Sequence, residues 1–561
     1  GIVSTKFSAI GDIGQITVRT KGGTAIIDSI FEADTDGDYT GTPSATSPGQ
    51  NTGTIAGVTA VAAGRNLVAS SGVVRSTFTA AMIGNVTAAI QTVEGGDGIV
   101  DSRFEARTAI YDGFGNFDNV GRIGNIKVTN AADQLQSGAG IRGTNFLAGA
   151  GGGIGNIDVT TASGSGIITS SFDASIRGAV LDPDQNLFTS TIGNITVNNG
   201  RVAGFTLVPA GITGSTFTAA AGIGNITVNS IGTGITASIF EADFDFQLVN
   251  NSPGAIGNIT VKVPGRNASA VTGSVFGGFA LGDIEIRLAD AAKNGVNAVA
   301  LSNFNARGGA IGNVTVVHSM TGLPYSTGLG YAIFNSQFVA TTGIGAISIT
   351  GNTMGAVFIV GGQPVQPVRG LKGVRSLPPS IGMITLAGGV SQSVSFSAPR
   401  VAGLNQTTAQ PNATMKVVFN TGDVGDINVS APVGFANLDL SGSFSTVGNI
   451  AVDGSLKVSS NTVSAAGSIS AGGNMTLATS ALQTIVSLTA GGSLALPLGL
   501  RSLRECGDLT AFSVAPSARR VIVGSGEAGS TMGRVRISSP NRGNGAYQFL
   551  FANWPLDGNR R

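Results

Sequence analysis

Two short phrases of alternating apolar and polar residues recur along the chain up to about residue 350. One reads Gly-Ile-x-x-Ser-x-Phe-x-Ala. Its Phe falls at positions 7, 31, 78, 104, 146, 172, 217, 240, 276, 304 and 338. Ser or Thr precedes each Phe by two residues, as in Ser102 and Thr144, while the residue between is free, as in Arg103 and Asn303. A fixed set at spacing two predicts a half-buried strand. The conserved-type Ile or Val lies five residues before Phe, not four, which predicts one bend between it and the Ser.

The second phrase is Ile-Gly-Asn-Ile-Thr-Val, starting at Ile13, Ile83, Ile123, Ile154, Ile192, Ile223, Ile256, Ile311 and Ile344. In Asn194-Ile195-Thr196-Val197 the Ile and Val are expected inside and the Asn and Thr outside. Gly193 suits a corner with positive φ. Such a unit cannot bury its own apolar face, and stacking unit on unit does so. The expected fold is all-β: a single-stranded parallel β-helix, or β-solenoid, forming an elongated rod. Eleven coils at ~4.8 Å give about 50 Å. Phe and Ile/Val ladders are expected inside. Outside, amides stacked at Asn85, Asn125, Asn156, Asn194, Asn225, Asn258 and Asn313 are expected to bond to one another.

The gaps from each Phe to the next Ile-Gly phrase run 6, 24, 5, 19, 8, 20, 6, 16, 5, 7 and 6. Every second coil therefore carries an insertion at one corner, including 34–51, 108–119, 177–188 and 243–252. The expectation is a row of projecting loops along one edge and a smooth opposite side. Three segments follow: a regular solenoid over 1–354, shorter degenerate coils over 355–510, and a basic, aromatic cap or docking segment over 511–561.

Past residue 420 the phrases become Gly467-Ser-Ile-Ser-Ala-Gly-Gly-Asn-Met-Thr-Leu and Thr489-Ala-Gly-Gly-Ser-Leu-Ala-Leu. These strings resemble the roughly 20-residue repeats of filamentous-haemagglutinin-type and autotransporter β-helix surface proteins of bacteria. The resemblance covers about 420–500 in style and the earlier part in kind. It implies an exported, elongated surface protein and brings no catalytic residue.

Only 11% of the 561 residues are charged and the net charge is +1. So little charge suits a protein packed into an assembly and argues against a nucleic-acid partner, which wants a basic stripe. Residues 501–561 hold nine Arg and no Lys against four acids. The single Cys, Cys506, excludes an internal disulfide and reads as a buried thiol. The chain opens at Gly1 without Met or leader, so an upstream segment removed by processing, or a longer parent chain, is expected. The uncharged stretch 478–500 holds Gly491, Gly492 and Pro497 and reads as strands, so no transmembrane segment is expected.

One His, His318, excludes a multi-His metal centre and is expected at a corner or on the surface. Asp34, Asp36 and Asp38 offer carboxylates at alternate positions, as calcium loops do. Calcium is the one cofactor the sequence suggests, although Tyr39 stands where an EF-hand loop needs Gly. Asp243 and Asp245 are a weaker copy. The Asn-x-Thr sequons at Asn85, Asn194, Asn225, Asn258 and Asn313 arise from the strand phrase and read as structural. Asp101, Arg103, Glu105 and Arg107 are the nearest thing to a catalytic group, and a cross-coil salt-bridge face explains them more simply. Tyr547, Phe549, Phe551 and Trp554 form an aromatic group suited to capping or docking on another copy. The expected function is a non-enzymatic structural protein of a bacterial extracellular fibre, appendage or surface layer, its partners other copies of itself, head-to-tail or lateral. The runner-up is an adhesin whose loops bind surface glycans or a host partner. The third reading is a β-helix polysaccharide-degrading enzyme.

Overall fold

The computed structural model describes residues 1–33, 53–64, 70–92, 96–106, 121–131, 138–149, 152–174, 190–200, 209–242, 254–264, 268–289, 296–319, 330–361, 379–388, 393–407, 414–431, 434–460, 463–479, 482–495, 505–514, 520–523, 531–532, 535–537 and 548–551. Among them there is no helix, and every strand pairing is parallel. The chain divides into two compact units, Gly1–Ile311 and Gly312–Arg561.

The first unit is a run of ten repeats. Each carries three or four strands, as in Ile99–Val100, Arg103–Ala106, Arg122–Ile123 and Ile126–Asn130. Each strand pairs with its counterpart in the repeats before and after it. Arg103–Ala106, for example, pairs with Thr77–Ala80 on one side and Asn145–Ala148 on the other, Phe opposite Phe and Ala opposite Ala. The second phrase behaves alike: Ile195 pairs with Ile157 and Ile226, and Val197 with Val159 and Val228.

In-register pairing puts like on like. The rings of Phe7, Phe31, Phe78, Phe104, Phe146, Phe172, Phe217, Phe240, Phe276 and Phe304 stack in one column, with centroids 4.6–5.0 Å apart and planes within 9°. From Phe78 to Phe304 each is fully buried. Phe7 ends the described column and is half-exposed, stacked on one side only. The alternation expected for Ile195 to Val197 holds, with both aliphatic residues buried and Asn194 exposed.

The bend expected between Ile and Ser is a residue in the left-handed region. It is Ser4, Asp28, Arg75, Asp101, Thr169, Ala237 or Leu301 in seven repeats, with φ of 44–50°, and Gly143, Gly214 or Gly273 in three others. Glycine takes this conformation freely and other residues at a cost. The Ser or Thr that follows is buried. Its hydroxyl donates to the carbonyl two residues earlier, as Ser76 Oγ does to Val74 at 2.8 Å. The same oxygen accepts the backbone N–H of the matching Ser in the preceding repeat, as Ser76 Oγ does from Ser29 at 3.1 Å. This ladder runs from Thr5 to Ser302 at 3.1–3.4 Å.

Long insertions leave from one register position in alternate repeats. The strands ending at Ala33, Ala106, Ala174 and Ala242 are each followed by a long segment outside the described residues. The other connection varies too: it is long from Asn199 to Ala210 and short from Ser230 to Thr233. Length variation is therefore not confined to one corner, because any corner outside the ladders accepts added chain cheaply.

The second unit keeps the same principle with longer strands. Val394–Thr407, Thr414–Ser430 and Asn437–Val447 pair in register. The Phe column loosens from Phe338–Phe358 at 4.8 Å to Phe396–Phe419 at 5.6 Å and a 31° tilt. Phe419 then faces Gly442. Aliphatic residues continue the interior, with Met415, Leu438, Leu456, Met475 and Leu494 in successive register. The stretch expected as strands forms Met475–Thr479 and Leu482–Ala495. No helix among the described residues is long and apolar enough to cross a membrane.

Removing one ring from the middle of the column leaves a cavity between two stacked neighbours. Phe172→Ala is expected to cost about 3–5 kcal/mol, read as a lowered denaturation midpoint. A loss under ~1 kcal/mol would mean the column is not a stabilising core.

Candidate functional surface

The most regular chemistry on the outside is the asparagine position of the second phrase. Asn85, Asn125, Asn156, Asn194, Asn225 and Asn258 are exposed and stand one above another. Each Oδ1 accepts the backbone N–H of the next residue in the column at 2.8–2.9 Å, ending with Asp283 N–H on Asn258. Amide-to-amide bonding was the expectation for this column. The side chain instead bonds to backbone, because an in-register neighbour presents an otherwise orphaned N–H at that height.

The glycine before each Asn has a different reason from the expected one. Gly193 is not in the left-handed region. A Cβ there would lie 2.6 Å from Asn156 Oδ1, and one at Gly224 would lie 2.7 Å from Asn194 Oδ1. The carboxamide, together with the backbone of Gly155 and Asn156 at 2.9 Å, fills the space a side chain at Gly193 would need. The second unit reuses the device with a carboxylate: Asp426 Oδ1 accepts Asn449 N–H at 2.8 Å.

A buried polar column was missed in the sequence. Asn130, Thr161, Asn199, Ser230 and His318 close their strands with the side chain buried. Asn130 Nδ2 donates to Gly96 O, in the corner before its own repeat, at 2.7 Å, and Asn199 Nδ2 to Ala210 O, in the corner after its strand, at 2.6 Å. Continuing the period of two past Val197 points to it. His318 holds the matching last position of a strand in the second unit, which corrects its expected surface or corner placement: it is the last inward position of Val314–His318 and 1% exposed.

Charged side chains are few and mostly matched. Arg75 donates from Nε and a terminal nitrogen to both carboxylate oxygens of Asp28, at 2.7 and 2.9 Å, across adjacent repeats. Lys6 reaches Glu32 at 3.0 Å. Asp97 pairs with Arg142, and Glu241 with Arg307. In the group around Asp101, Asp101 acts across repeats on Arg75, whose charged form Asp28 favours most and Asp101 favours as well. Asp101 sits on the left-handed bend, and Arg103 bonds Glu105 at 3.0 Å within its own strand, because residues two apart share a side. Arg107 lies outside the described residues. Acids follow the Phe in every second repeat, at Glu32, Glu105, Asp173 and Glu241, with Thr79, Leu147 and Thr218 between. These are the repeats that carry the long insertions, a coincidence legible in the sequence at a two-repeat period.

Asp34, Asp36 and Asp38, the candidate calcium ligands, lie outside the described residues, as do Asp243 and Asp245. Among the described residues no group of three or more His, Cys, Asp or Glu is placed to hold a metal ion. Tyr547 and Trp554 are also outside the described residues. Phe549 and Phe551 lie in strand Gln548–Phe551, which pairs with Arg520–Val523. The chain matches no protein-family model, no curated protein and no solved structure.

The close fit of Gly193 against Asn156 predicts a coupled pair. Gly193→Ala should destabilise by about 1–3 kcal/mol, and adding Asn156→Ala should recover part of that in a double-mutant cycle on denaturation midpoints. Additive losses would refute the contact. The Arg75 hydrogen bonds hold the Asp28 carboxyl below its usual value of 3.8. A lowered carboxylate stabilises the fold fully above the unfolded value and loses that effect as pH falls through the folded one. Arg75→Ala should therefore return the Asp28 titration, followed by NMR, to the ordinary range; an unchanged midpoint would exclude the pair as the cause.

Proposed function

We propose that this protein is a non-enzymatic structural element of a bacterial extracellular fibre, appendage or surface layer. In this reading the parallel repeats of each unit close into a single-stranded β-helix, a β-solenoid. The observation that carries the reading is where the recurrent polar chemistry goes. The Ser or Thr hydroxyl of each repeat from Ser29 to Ser302, and the Asn carbonyl of the six repeats from Asn85 to Asn258, bond to the backbone of a neighbouring repeat. The recurrent phrase is thus organised for cohesion along the stack.

Self-association follows the same logic. Another copy adding strands in parallel register would continue every ladder, and such head-to-tail contacts propagate without closing. Lateral packing is the second route, helped by the low charge. The style-level resemblance to exported β-helix proteins agrees with a place outside the cell.

An adhesin is the second reading. It rests on the insertions leaving one register position in alternate repeats, each behind an acidic residue, which would set potential binding loops in a row.

Electron microscopy of the purified chain tests the first reading. Regular polymers are expected, and deletion of 547–561 is expected to shorten or abolish them if the aromatic segment docks. A dispersed monomer at high concentration and low salt would overturn the structural reading, and unchanged polymers after the deletion would overturn the docking role.

A further inference from the structure

The asparagine column has a chemical polarity that cohesion does not use. A backbone N–H faces each side-chain oxygen from Asn85 to Asn258, which fixes the amide orientation: oxygen toward the stack, Nδ2 away from that bond. Within the described residues the six Nδ2 groups make no hydrogen bond. An amide whose oxygen takes one bond toward the stack still presents both Nδ2 protons. The exposed column is therefore a line of uncharged donors, one per repeat, at the 4.6–5.0 Å step set by the ring stack.

The flanks leave this line accessible. On one side runs a column without side chains: Gly84, Gly124, Gly155, Gly193, Gly224 and Gly257. On the other, two residues on, Thr87, Thr196, Thr227 and Thr260 add hydroxyls. The two charges in that second column, Lys127 and Asp158, face each other in register and cancel. Nothing here selects an anionic polymer.

We propose that this face binds an extended, neutral polysaccharide of the β-1,4-linked type, lying along the column. Its hydroxyl and ring oxygens accept from one amide per repeat. An extended β-1,4-linked glycan advances by roughly one strand spacing per sugar, with successive sugars turned about the chain axis, so a given kind of oxygen returns to the donor line every second or third repeat. One neutral hydrogen bond exchanged against water gains little. Binding must therefore come from several sugars engaged together, and it should rise steeply with chain length. This inference goes beyond the structural reading above and does not depend on it: a monomer could bind glycan, and a polymer could fail to.

Calorimetry on the full chain with xylobiose through xylohexaose tests it. Affinity is expected to rise at least tenfold from two to six sugars, and an α-1,6-linked dextran oligomer of equal size is expected to bind at least fivefold more weakly than xylohexaose. Asn→Asp keeps the ladder acceptor, as Asp426 shows, and removes the donor. The triple variant Asn125→Asp, Asn194→Asp, Asn258→Asp, placed in alternate repeats to limit repulsion, is expected to lose at least fivefold in affinity for xylohexaose with its unfolding transition retained. Should the triple variant not fold, Asn194→Asp alone is expected to lose about twofold. Absence of binding, binding without length dependence, equal binding of dextran, or wild-type affinity in a folded variant would each overturn the proposal.

Discussion

Parallel pairing at a fixed strand spacing is the constraint on which everything else rests. A strand that bonds in register to its own counterpart sets every side chain about one spacing from the same position of the next repeat. Whatever occupies that position must tolerate a close neighbour of like kind. Flat rings do, and Phe146 and Phe172 stack at 4.9 Å with planes 8° apart. β-Branched residues do as well, and Ile195, Ile226 and Ile259 continue one buried column. Where the Phe column tilts, at Phe396 and Phe419, the strands are longer and the interior passes to Leu and Met.

Two side-chain ladders lock this register from opposite directions. In the serine ladder the earlier repeat donates, as Ser76 N–H does to Ser102 Oγ. In the asparagine ladder the later repeat donates, as Asn194 N–H does to Asn156 Oδ1. A slip of one residue would break both and turn the Phe and Ile columns outward. The bend before each serine pays a conformational cost where it is Asp28 or Leu301 rather than glycine. The buried hydroxyl, bonded on both sides, is what offsets it.

The strand phrases, the Phe column, the bend and the alternate insertions were legible in the sequence because each depends only on spacing along the chain. The polar details were not. Gly193 reads as a turn residue in one dimension, yet its cause is Asn156, 37 positions earlier and one repeat away. The asparagines invite an amide-to-amide ladder, and only the height of the neighbouring N–H shows why the oxygen turns to backbone. His318 looks like a lone polar residue after a strand, until the repeats show Asn130, Thr161 and Asn199 at its place. Each miss is a relation between repeats, which periodicity announces without specifying.

The scarcity of charge has a cause inside the stack as well as outside it. Two like charges in register at ~4.8 Å repel by about 1 kcal/mol in water and by several times that near a protein surface. A phrase with a fixed charged position would repeat that cost at every step. The outward positions are accordingly mostly Thr, Asn and Ser, and charge enters largely under two conditions, Lys262 facing Arg287 in register being an exception in which Arg287 also bonds Glu285 of its own strand. Opposite signs meet in register, as Lys127 faces Asp158 and Arg75 bonds Asp28. Like signs skip a repeat, as Glu32, Glu105, Asp173 and Glu241 do, which roughly doubles their separation to about the screening length of physiological salt. The 11% charge content is thus a property of the ladder before it is a sign of crowded surroundings. Association between copies has to be argued from edges and faces, and the uncharged asparagine column is the face this constraint leaves open for a neutral ligand.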